Sequence, residues 1–158
     1  MFSNFGSMGV GQATGIMVGQ NLGAGHPDRS RSAVHWGLVY VSVMKTLVAV
    51  VIFVFPVALT MLFTSESEVV DLTATWLRIL AFSVPFAGLA MVFQQSFNTA
   101  GDTKAPMVVM LVSLWAVQLP LALLFAYSLD MGVLGLAYAH LVAMGVRMAM
   151  YVPYFFWG

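Results

Sequence analysis

Apolar residues run through this chain in long blocks, broken only by short polar connections. A helix crossing the hydrocarbon core of a bilayer needs about 20 consecutive, mostly apolar residues. Residues 34–63 meet that requirement with Lys45 as their single charge, and 69–97 meet it with Asp71 and Arg78 near their start. Residues 106–129 carry no charge, and 131–157 carry Arg147. Residues 1–25 are also uncharged but hold seven of the fourteen glycines, with Asn4, Gln12, Gln20 and Asn21. That mixture predicts a fifth helix packed against protein rather than lipid, because polar groups in a membrane must find partners. Apolar–polar alternation at period two is absent, which argues against a transmembrane barrel. The expected fold is all-α: a polytopic transmembrane helix bundle of five spans in one domain, 1–158.

Composition sharpens this picture. The chain is 61% hydrophobic and 8% charged, against about 45–50% and about 25% in ordinary soluble domains. Such a balance excludes a free aqueous enzyme and a disordered tail, and six basic against six acidic residues leave no basic surface for nucleic acid. The absence of cysteine removes disulfides, thiolate metal sites and cysteine nucleophiles. No GxSxG, HExxH or paired intramembrane carboxylates occur, so the residues offer no enzyme active site and no metal site.

The connections are 26–32 (HPDRSRS), 64–68 (TSESE), 98–105 (NTAGDTKA) and Asp130. Arg29, Arg31 and Lys104 fall in the first and third, and no Lys or Arg falls in the other two. Alternate connections lie on opposite sides of a membrane, so the positive-inside rule places 26–32, 98–105 and the C-terminus in the cytoplasm. Five spans then put residue 1 outside, with no basic segment flanking the first span. The expectation is that residue 1 lies inside a longer parent whose upstream helices precede it.

Several residues carry candidate roles. Gly11, Gly15, Gly19 and Gly23 recur every four residues, continued upstream by Ser3 and Ser7. Such a series suits close helix packing in lipid, or a helix that bends and slides; the two are compatible. Gln12 flanks the series. In the third span Ser83, Ala87, Ala90, Gln94 and Asn98 form a small-to-polar stripe opposite Leu89 and Phe93, with Pro85 as a kink. This stripe is either a helix seam or the wall of a wet cavity. Lys45 sits at mid-depth with Ser42 and Ala49 beside it, where a buried ammonium needs a carboxylate, carbonyl or water partner. No acidic residue lies at that depth, and the expectation is a partner beyond these residues or water. Gln118, next to Pro120, is a further candidate for a cavity wall. His140, Met144, Arg147 and Tyr151 share one face of the last span. Arg147 either snorkels to the interface or serves an interior site with His140 or Tyr151 as neighbours, and His140 is either a packing residue or a proton relay.

Two stretches resemble a known family. GQATGIMVGQNLGAG (11–25), followed by a short basic loop, is similar to the segment closing the second helix of each half of multidrug and toxic compound extrusion (MATE) transporters. AGDTKAPM (100–107), with Gly101, Asp102, Lys104 and Pro106, resembles the loop after the fourth helix of a half. VQLPLAL around Pro120, GVLGLAYAH from Gly132 and the ending YFFWG support the likeness. The resemblance implies a twelve-helix protein of two lobes around a central cavity, with this chain as about helices 8–12 and the N-terminal lobe missing. It implies multi-pass residence in a cell membrane, the bacterial inner membrane, and export of cationic or amphiphilic drugs in exchange for H⁺ or Na⁺ by alternating access. No other cofactor is implied. Some members carry a carboxylate in the fourth helix of this lobe; here 72–97 contain no Asp or Glu, so no ion-binding residue is assigned. Two other readings stand beside antiport: a lipid-linked precursor flippase of the same superfamily, which would want a more cationic cavity, and a non-transporting five-span scaffold.

Overall fold

A computed structural model describes residues 2–157, with side chains for 6–156. The side chain of Ser3, upstream in the glycine series, lies outside the described residues. Helix α1 spans Phe2–Gly23, α2 Pro27–Val54, α3 Pro56–Met61 and α4 Ser67–Thr99. One further rod is built from α5 (Lys104–Leu111), a π-helical segment (Val112–Gln118), α6 (Leu119–Leu123) and a second π-helical segment (Leu124–Ser128). Helix α7 spans Val133–Trp157.

Among the described residues, four helices are long and apolar enough to cross a membrane: Pro27–Val54, Ser67–Thr99, Lys104–Ser128 and Val133–Phe156. The expected fifth, α1, is not among them, because its glycine, glutamine and asparagine dilute the apolar content. The second expected span, 34–63, is corrected at both ends. It begins earlier, at Pro27, whose fixed φ suits a first helical position. It breaks at Phe55 (φ −117°, ψ 40°), because Pro56 disfavours helical geometry in the residue before it. The expected loop 26–32 is helical from Pro27 onward, and of 98–105 only residues 100–103 lie outside a helix, so the connections are a few residues long.

Two of the glycine-bearing connections, after α1 and after α4, end a helix in the same way. Gly25 (φ 75°) and Gly101 (φ 91°) adopt left-handed backbone. After each, an amide reaches back five residues: His26 N–H donates to Asn21 at 2.8 Å, and Asp102 N–H donates to Phe97 at 3.0 Å. The glycine amides add a second bond each, Gly25 N–H to Leu22 at 3.0 Å and Gly101 N–H to Asn98 at 3.3 Å. Helix carbonyls that would otherwise be orphaned are thus satisfied, and glycine takes this geometry without a Cβ clash.

Helix α4 is the hub, touching α1, α2, α3, α5 and α7, whereas α2 and α7 make no close backbone approach among the described residues. Its expected stripes are covered in part, with Ala87, Gln94 and Leu89 half-buried and Asn98 exposed. Ser83 and Ala90 are buried, and so is Phe93 on the bulky side, which stacks on Tyr151 of α7 with centroids 5.8 Å apart. Phe97 stacks on the same ring at 5.9 Å. Helix α4 runs unbroken through Pro85. Around Pro120 the rod instead widens to π geometry on both sides, a common response to a missing backbone donor.

Small residues set the helix spacing. A Cβ on Gly11 would sit 3.5 Å from the Met91 carbonyl, one on Gly15 3.1 Å from the Gln95 carbonyl, and one on Gly19 3.3 Å from the Thr99 carbonyl. Three members of the glycine series thus ride along three turns of α4. Gly23, the fourth, meets nothing within 4 Å and lies outside the seam. On the other flank a Cβ at Gly135 would lie 2.8 Å from backbone atoms of Phe125 and Ala126, so α7 touches the second π-helical segment almost backbone to backbone. Gly15→Leu is expected to lower stability by about 1–3 kcal/mol, the usual range for overpacking a close contact. Gly23→Leu is expected to leave it unchanged. Thermal unfolding of the two variants in lipid nanodiscs measures the difference.

Candidate functional site

Polar side chains inside a membrane bundle are costly unless paired, so their placement locates function. Lys45 is buried at 2% exposure in the α2–α4 interface. Its aliphatic stem lies over Gly88, where a Cβ would come within 2.6 Å of the lysine Cγ. Gly88 is thus the residue that makes room for this lysine, and the flanking Ala49 is buried as its spacing suggests.

Arg147 occupies a different interface. Its Nε donates to the Ser113 hydroxyl at 3.0 Å, and that hydroxyl donates to the Met110 carbonyl at 3.1 Å. Ser113 is fully buried in the first π-helical segment. The hydrogen-bond partner of Arg147 is a serine across the α7 contact. The expected neighbours His140 and Tyr151 lie within electrostatic reach of the guanidinium, and Tyr151 also belongs to the aromatic stack with Phe93 and Phe97. His140 is half-buried two turns away on α7. Ser113 escaped the sequence reading, and its one signal was a hydroxyl in an otherwise apolar stretch.

The six candidate cavity residues do not meet in one place. Gln12 is exposed on α1, Gln94 is half-buried on α4, and Gln118 is half-buried in a hollow with Trp115 and Leu136. Lys45 lies between α2 and α4, and Arg147 lies between α7 and the first π-helical segment, which makes no close backbone approach to α2 among the described residues. They do not form a common cationic pocket within this chain.

The loop motif has a clear local chemistry. Gly101 ends α4, and the Asp102 carboxylate accepts the Ala105 amide at 3.1 Å, which helps to start α5. The second Asp102 oxygen accepts the Tyr154 hydroxyl at 2.6 Å, tying the loop to the end of α7. Pro106 is buried in the first turn of α5, where a missing backbone donor has no intrahelical partner to lose, and Lys104 is exposed. The Tyr154 hydrogen bond, then the Ala105 amide, holds the Asp102 carboxyl below its ordinary range, with Lys104 contributing in the same direction.

The sequence pattern of the MatE family matches residues 1–124. The chain belongs to the MATE family. It is 32% identical over 130 residues to the probable multidrug resistance protein YpnP of Bacillus subtilis, covering 82% of this chain and 29% of that protein. It is 23% identical over 129 residues to the probable multidrug resistance protein NorM of Thermotoga maritima, covering 82% of this chain and 28% of that protein. The crystal structure of the eukaryotic MATE transporter AtDTX14 superposes with a TM-score of 0.89 at 26% identity, over 96% of this chain and 34% of that one. The chain thus spans under a third of the length of these two curated relatives. Within this MATE fold, the glycine seam and the AGDTKAP loop are the parts whose roles the geometry explains most fully.

A carboxylate held below its unfolded value contributes stability above that value and loses it as pH falls through the folded one. Tyr154→Phe is therefore expected to lower the unfolding temperature at pH 7. That deficit is expected to close as pH drops below about 4, the unfolded range of Asp. A pH series of thermal melts on parent and variant in nanodiscs tests this.

Proposed function

We propose that this chain forms most of one lobe, about helices 8–12, of a secondary transporter that exports cationic or amphiphilic compounds in exchange for inward H⁺ or Na⁺. The observation that carries the reading is membership of the MATE family over 1–124, with relatives named as multidrug resistance proteins. Helix α1 is then the fifth crossing: its 22 residues rise about 33 Å, enough for a hydrocarbon core of about 30 Å. Connections 26–32 and 98–105 face the cytoplasm of a bacterial inner membrane, following their three basic residues. The cargo passage runs between this lobe and the other, so a half-exposed glutamine here is half of a wall. The carboxylates of α4, Glu68 and Asp71, lie in its first two turns and 72–97 contain none, so coupling resides in the other lobe or takes a neutral route.

The separation of Lys45 from Arg147 favours drug export over transport of a lipid-linked precursor, because an anionic cargo of that kind calls for cations in one pocket. Gln94 and Gln118 are the side chains to probe. In the complete gene product, Gln94→Cys and Gln118→Cys are expected to react with a water-soluble thiol reagent, and a transported drug is expected to slow the reaction. Mass-spectrometric labelling rates in membrane vesicles decide it, and inert cysteines at both positions would contradict the cavity assignment.

A further inference from the structure

An open groove of about 750 Å³ runs between α1 and α2. Its single charged lining residue is Arg29, and Ser32 and Asn21 stand at the same end, where the two antiparallel helices meet. Further along, the lining turns apolar, with Met17, Trp36 and Met44. From Arg29 to Met44 the helix rises about 22 Å. That distance takes in a headgroup layer and one leaflet of a hydrocarbon core about 30 Å thick. The Trp36 indole is 56% exposed, in the place where amphipathic rings sit at a membrane–water boundary.

We propose that this groove binds an anionic phospholipid, its phosphate against Arg29, Ser32 and Asn21 and one acyl chain along Met17, Trp36 and Met44. Charge complementarity selects the occupant: the polar end holds a guanidinium and neutral donors, and no carboxylate lines the groove among the described residues. An apolar helix from elsewhere in the protein would leave that guanidinium without a counter-charge. The site is local rather than a general basic surface, because Arg31, two residues on, turns into a separate hollow with His35 and Phe155. Basic pockets between helices at a membrane surface are suited to anionic headgroups. This inference is independent of cargo and coupling ion.

The test uses the complete gene product and lipids of identical chains. Native mass spectrometry is expected to show phosphatidylglycerol retained in preference to phosphatidylcholine. Arg29→Gln is expected to reduce that preference about fivefold, the worth of one basic side chain near an anionic surface. Arg31→Gln is expected to preserve it, Ala13→Trp to abolish retention by filling the groove, and inorganic phosphate to compete poorly. Equal losses from Arg29→Gln and Arg31→Gln would mean diffuse charge, and full competition by phosphate would mean a free-anion site; either result overturns the proposal. A second readout needs no variant at the polar end. In bilayers, phosphatidylglycerol with brominated chains is expected to quench tryptophan fluorescence more than the brominated choline lipid, and Trp36→Phe to remove the excess. An excess that survives Trp36→Phe places the lipid elsewhere and overturns the assignment.

Discussion

Close approach of helix backbones through residues with little or no side chain is the contact on which this bundle depends. Lipid tails are as apolar as leucine, so burying leucine between two helices in a membrane gains little, and packing and hydrogen bonds must supply the association. The chain responds by placing Gly11, Gly15 and Gly19 on α4, Gly88 under Lys45, and Gly135 on the second π-helical segment. Buried alanines continue the same logic along α7 at Ala137, Ala139 and Ala143. Large apolar side chains such as Leu47 and Trp115 stay outside, more than 60% exposed, where lipid is their solvent.

The hub position of α4 follows from that economy. It receives the glycines of α1, offers Gly88 to α2, and carries aromatic residues for the Tyr151 stack. A helix covered on both sides can hold two groups of helices at a fixed distance while contributing little lipid-facing surface of its own. Polar bonds then fasten the second group to itself: Arg147 to Ser113 in mid-rod, and Asp102 to Tyr154 at one end. The π-helical stretches beside Pro120 lie inside this second group, where the chain is fastened by hydrogen bonds as well as by packing.

Much of this was legible in the sequence, and what was not has a physical reason. A four-residue glycine repeat announces a helix seam by itself, because residues four apart on a helix lie one above the other. The end of the seam was not readable: Gly23 keeps the spacing but lies past the point where α1 and α4 touch. The break at Phe55 is encoded by the following proline, but continuous hydrophobicity across 34–63 masks it. Partners far apart along the chain were invisible, since nothing local links Ser113 to Arg147 across 34 residues or Asp102 to Tyr154 across 52. The family motifs were recognised as patterns, and only the geometry showed that Gly101 and Asp102 serve to stop one helix, start the next and hold a third.

Direct measurement of the α1–α4 seam in an intact membrane bears hardest on this account. A Cβ on Gly19 would lie 3.7 Å from that of Thr99, near the mean separation of about 3.8 Å across a disulfide. These 158 residues contain no cysteine, so Gly19→Cys with Thr99→Cys, in the complete gene product cleared of any other cysteine, reports one contact. Mild oxidation in native membranes should join the two residues in high yield, seen as a linked peptide pair by mass spectrometry. Failure to join while both thiols remain reactive would show that α1 does not lie on α4, and the architecture described here would be wrong.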